Sequence, residues 1–84
     1  MLHHIISSGP SVVVALKDTV VVVLAGSVAD QEAALERAAK FPSRLAGVYG
    51  LPDGRDVAIF DRESNTTQIA TRRSVESLTY TESH

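Results

Sequence analysis

Residues 12–14 read Val-Val-Val and residues 20–24 Val-Val-Val-Val-Leu, with Lys17 and Asp18 side by side between the two runs. Valine is stiff at χ1 and prefers strands to helices. The runs therefore predict an antiparallel hairpin that turns at Lys17-Asp18-Thr19, where the Asp18 carboxylate suits bonding to nearby backbone amides. Successive side chains of a strand point to opposite faces, so a sheet wet on one side alternates apolar and polar residues. These runs do not alternate, and both faces of the hairpin are expected to be covered. Leaving one valine row in water would forgo several kcal/mol, at about 25 cal/mol per Å² of apolar area. It would also invite aggregation.

Ahead of the hairpin, Leu2 to Ile6 predicts another strand, ended by a Ser7-Ser8-Gly9-Pro10 loop. Behind it the period changes. Ser27 suits an N-cap and Asp30 stands where a capping box wants its acidic partner. Val28, Ala34, Leu35, Ala38 and Phe41 fall on one face at helical spacing, with Glu32, Glu36 and Lys40 opposite. A helix from about Val28 to Phe41 follows, ended by Pro42. Residues 44–50 (RLAGVYG) then read as a strand, Leu51-Pro52-Asp53-Gly54-Arg55 as a turn, and residues 56–61 (DVAIFD) as a strand. Residues 62–65 form a further turn and 66–71 (TTQIAT) a third strand of a meander. The tail reads two ways: Val75 and Leu78 fit a helical turn, whereas SLTYT alternates like a strand.

The sum is a single α+β domain over residues 1–84. A mostly antiparallel sheet of five to seven strands, built from the valine-rich hairpin and the C-terminal meander, packs on one helix in a ββαβββ-like order. One helix covers one face of the hairpin. The other face needs strands of the same chain, closing a barrel or sandwich, or a second copy. A chain of 84 residues has a small core, which favours dimerisation through the sheet.

Composition narrows the chemistry. Hydrophobic residues at 44% and charged residues at 21% describe a folded chain rather than a disordered one. With no cysteine, disulfides, zinc–thiolate sites and cysteine nucleophiles are excluded. A net charge of −2, with Arg72-Arg73 the one adjacent basic pair, argues against nucleic acid as a partner. The apolar runs are too short and too interrupted for a membrane-spanning helix. No leader pattern is evident at the N-terminus, so the expected compartment is the cytoplasm. The Asn65-Thr66-Thr67 glycosylation pattern is then a chance match.

Constellations that carry chemistry are sparse. His3 and His4 point opposite ways on a strand, and His84 is terminal, so no metal site is expected. Asp53, Asp56, Asp61 and Glu63 cluster in sequence, but beside Arg55 and Arg62 they read as solvated turn charges. Residues 7–11 (SSGPS) lack the lysine of a phosphate-binding loop, and no GxSxG elbow exists. No catalytic residue and no cofactor are expected. The expected role is non-catalytic: a small interaction protein that oligomerises through its sheet and binds a protein partner as an accessory subunit, adaptor or inhibitor. Tyr49, Arg55, Arg62, Arg72 and Arg73 are the candidate contact residues, because Tyr and Arg are favoured interface anchors. A small-ligand-binding domain with a cavity inside a closed sheet is the alternative from the residues alone.

Residues 12–50, from VVVALKDT through the GSV helix entry to GVYG, also resemble part of a BON domain. They share its strand, turn, strand and alanine-rich helix. The resemblance implies attachment to phospholipid or membrane.

Overall fold

The computed structural model describes residues 4–62 and 69–82. Its elements run β1 (His4–Ser8), β2 (Ser11–Ala15), β3 (Thr19–Leu24), α1 (Val28–Ala38), β4 (Arg44–Gly50), β5 (Asp56–Asp61) and α2 (Arg72–Glu82). The strands make one antiparallel sheet in the order β1-β2-β3-β5-β4. The α+β class and its antiparallel sheet are those the sequence predicts. Among the described residues the sheet is open, with β1 and β4 at its edges, and does not close into a barrel.

The valine hairpin pairs Val12 with Val23, Val13 with Val22, Val14 with Val21 and Ala15 with Val20. Its turn forms at Lys17-Asp18, where the Leu16 amide donates to the Thr19 carbonyl at 2.7 Å. No described non-glycine residue has positive φ, so this turn is not the primed type that matches strand twist. Arg62 compensates from the end of β5. Its amide donates to the Asp18 carbonyl at 3.0 Å and its Nη1 to the Leu16 carbonyl at 2.5 Å. At the far end of the hairpin, Ser7 to Pro10 is not one loop. Ser7 and Ser8 belong to β1, and Gly9-Pro10 alone joins β1 to β2.

The α1 cap is the expected box. Ser27 Oγ accepts from the Asp30 amide at 3.1 Å and Asp30 Oδ2 accepts from the Ser27 amide at 3.0 Å. The helix ends earlier than its apolar spacing predicts, at Ala38. Lys40 and Phe41 continue it with tighter bonds to the carbonyls three residues back, at 3.2 Å and 3.1 Å. Ala34, Leu35 and Ala38 are buried as expected. Val28 is not: as the first helical residue it lies beyond the edge of the core, and it is 55% exposed.

The third meander strand, residues 66–71, is not among the described strands; residues 63–68 lie outside the described part, and 69–71 are irregular. The tail resolves to a helix. Thr71 caps α2, with Ser74 at the position of the box partner. Each hydroxyl accepts from the other's amide at 3.3 Å. Glu32 of α1 adds an acceptor, its Oε1 lying 3.0 Å from the Arg72 amide. Among the described residues two helices, not one, pack on the sheet.

Both helices lie on the same face. Val13, Val20, Val22, Leu24, Val48, Ala58 and Phe60 of the sheet form one core with Ala34, Leu35 and Ala38 of α1 and Ala70 and Val75 of the α2 segment. Alanines between helix and sheet let α1 approach closely. The molecule measures 30 × 27 × 22 Å. Its thin axis is the depth of one helix layer on one sheet, about 10 Å each.

Candidate functional site: the uncovered sheet face

Cross-strand register decides which residues share each face. Val20 pairs with Phe60 and Val22 with Ala58, and these point into the core. The alternate positions pair Val21 with Ile59 and Val23 with Val57. Together with Val12 and Val14 on β2, they form a continuous aliphatic surface on the side opposite both helices. All of these are half-buried by their neighbours in the sheet, whereas the inner row is fully buried. The expectation that both faces of the hairpin are covered is thus met on one face within the single chain. Neither described helix lies on the other face.

Tyr49 completes this surface on β4, directly opposite Val57. It is 60% exposed. The backbone at Gly47 explains its pose. A Cβ built there would lie 3.4 Å from the Tyr49 hydroxyl and 3.6 Å from its ring. The ring lies along the strand over the glycine, flat on the face. β4 also carries a bulge at Ala46, between the Leu45 and Gly47 pairings, a device that disrupts pairing along an edge strand. At one end of the face, Arg44 stands directly opposite Asp61.

The contact residues expected from sequence scatter. Only Tyr49 lies on the open face. Arg55 is held in the β4–β5 turn, where its Nη2 pairs with Asp53 Oδ2 at 2.7 Å. The Arg55 amide donates to the Asp53 carboxylate, and that bond, with the adjacent guanidinium, holds the carboxyl below its usual range. Arg62 follows the other end of β5 and is turned inward to the hairpin, its guanidinium 5.2 Å from the centre of the Phe41 ring. Arg72 pairs with Glu76 at 2.9 Å on the helix layer, and Arg73 is exposed beside it. The five do not form one patch. The sequence marked the valine runs as needing cover, but it did not say which row faces out.

The acidic cluster is also separated. Asp56 and Asp61 close opposite ends of β5, about 17 Å apart at strand rise, too far to act as a carboxylate pair. Glu63 lies outside the described residues, as do His3 and His84. Among the described residues, no group of three or more His, Asp and Glu side chains is placed to hold a metal ion, and no helix is long and apolar enough to cross a membrane. The run that resembles a BON domain corresponds to β2, β3, α1 and β4.

No family model, curated protein or solved structure matches the chain.

Proposed function

We propose that the protein is a small, non-catalytic interaction module whose working surface is the uncovered face of its sheet, and that it acts on a protein partner as an accessory subunit, adaptor or inhibitor. One observation carries this reading: Val12, Val14, Val21, Val23, Val57 and Ile59 form an apolar surface on the side of the sheet away from both described helices. Contiguous apolar surface rimmed by polar groups marks an association site on a folded domain. A tyrosine lying on that surface adds a rigid amphipathic anchor. The open sheet favours this over a ligand-binding barrel, whose cavity needs closure. On the described strands the face carries Arg44 opposite Asp61, not the row of cations that would draw it to an anionic membrane.

The test uses the immobilised chain against extract of its native host, with retained proteins identified by mass spectrometry. Val23→Lys places a charge in the centre of the face and should abolish retention. Arg73→Ala, on the helix layer, should leave it intact. Retention unaffected by Val23→Lys, or no retained protein at all, would overturn the reading.

A further inference from the structure

We infer that this face also seats a second copy of the same chain, packed sheet against sheet about a two-fold axis with β3 at the centre of the interface. The inference rests on the reading of the face as the working surface and names one occupant for it. An isologous interface uses the same patch on both copies, so the patch must be compatible with itself in shape, charge and area.

Shape is the first argument. The face is made of β-branched side chains of similar height, and the Tyr49 ring lies down over Gly47 rather than standing up. That gives an even aliphatic surface rather than one with a standing aromatic ring. Helical and proline-rich peptides seat in grooves with pockets for their anchors. An aliphatic sheet face fits another such face, with side chains interdigitating at a separation of about 10 Å.

Charge is the second. On the described strands, the charged side chains that register places on this face are Arg44 and Asp61, opposite one another. Their charges sum to zero. Two such faces meet without the like-charge repulsion that excludes wrong partners.

Area is the third. Five strands at about 4.8 Å spacing and about 20 Å length give a face of about 400 Å² in projection. Two such faces together present about 800 Å² in projection, in the range of weak and transient encounters rather than of permanent complexes. The dimer is therefore reversible rather than obligate. Whichever in-plane axis relates the copies, the centre of the patch lies on β3, so Val21 and Val23 meet the partner's Val21 or Val23.

Sedimentation equilibrium of the full chain from micromolar to millimolar concentration tests this. The unsubstituted chain should pass from monomer to dimer with concentration. Val21→Lys should raise the dissociation constant by at least about tenfold, and Glu36→Lys on the outer side of α1 should not change it. Circular dichroism and cooperative melting check that each variant folds. Should Val21→Lys fail to fold, Val23→Thr keeps the β-branched shape and should still weaken the dimer several-fold. A dimer that survives the valine substitutions in folded chains, or that Glu36→Lys dissociates, would overturn the inference. So would a chain that stays monomeric throughout. That last result would leave the interaction-module reading standing, because its own test measures capture of a different protein.

Discussion

Ser11 Oγ donates to the Ala25 carbonyl at 2.7 Å and accepts from the Ala25 amide at 2.9 Å. One hydroxyl satisfies both backbone groups of a residue just beyond the end of β3. Ser11 is itself fully buried. It extends the β2–β3 pairing past Val12–Val23, where β3 must leave the sheet to start α1. Removing it leaves a partly buried amide and carbonyl without that partner. Ser11→Ala should lower stability by about 1–3 kcal/mol, read as a lower denaturant midpoint with an unchanged slope. Faster hydrogen exchange at the Ala25 amide should accompany it. A loss below about 0.5 kcal/mol, the range of an ordinary surface change, would show that water replaces the hydroxyl there.

Gly26 follows at once and has φ +84°. A Cβ there would lie 2.2 Å from Pro10 Cγ and 2.6 Å from Asp30 Oδ2. The β1–β2 turn is packed against the entry to α1, and only a hydrogen fits between them. Gly54 has φ +94°, but a Cβ added to it would meet nothing within 4 Å. Gly54→Ala should therefore cost only the backbone strain, about 1–2 kcal/mol. Gly26→Ala should cost clearly more, because strain and overlap add. Thermal melts of the two variants side by side check the order. Equal losses would mean that Pro10 moves aside freely.

Much of this fold was legible in the chain, and the parts that were not have a common cause. The hairpin follows from valine's stiffness, α1 from Ser27 and Asp30, and the β4–β5 turn from Pro52-Asp53-Gly54. Each signal is local. The position of β5 between β3 and β4 is not local, because it is set by Val20 meeting Phe60 and Val22 meeting Ala58 far along the sequence. Those pairings also decide which valine row is inside. An unbroken valine run has no period and so carries no information about its faces. The α2 helix was ambiguous for a related reason. Ser74 replaces the Glu or Gln of a standard box, and the further acceptor comes from Glu32, 40 residues away in sequence. The site was legible only as a demand for cover. Of the arginines chosen for their chemistry, Arg55, Arg62 and Arg72 are engaged at turns and a helix end, and Arg73 is exposed on the helix layer.

Arg62 shows what such an arginine does instead. It bonds the Leu16 carbonyl through Nη1 and stacks on Phe41, joining the hairpin turn, the end of β5 and the exit of α1. Arg62→Ala should destabilise the fold by about 1–3 kcal/mol, because it removes a charge-assisted hydrogen bond and a cation–π interaction at the same time. Arg62→Lys should recover only part of this, since an ammonium lacks the planar fork. Arg73→Ala, exposed on α2, should stay within about 0.5 kcal/mol of the parent. Urea titrations of the three variants decide it. Near-equal stability of Arg62→Ala and Arg73→Ala would remove Arg62 from the structure's supports.

Asp53 gives the fold one acid-sensitive corner with a definite sign. The Arg55 amide, followed by the Arg55 side chain, lowers the Asp53 carboxyl below 3.8. A carboxyl whose folded value is depressed contributes stability above its unfolded value and loses it as the pH falls through the folded one. The β4–β5 turn should therefore be intact at neutral pH and loosen only below about pH 3.8. Asp53 is exposed at the tip of the turn, so the effect is local to the turn rather than a driver of global acid unfolding. Carboxyl NMR titration should give Asp53 a midpoint under 3.8. Exchange of the Leu51 amide, which donates to the Arg55 carbonyl at 2.7 Å, should speed up over the same interval after correction for intrinsic rates. In Asp53→Asn the side chain no longer titrates, and the excess opening at low pH should vanish. An unshifted carboxyl, or a Leu51 response identical in the Asn variant, would show that the turn is held by Pro52 and Gly54 alone.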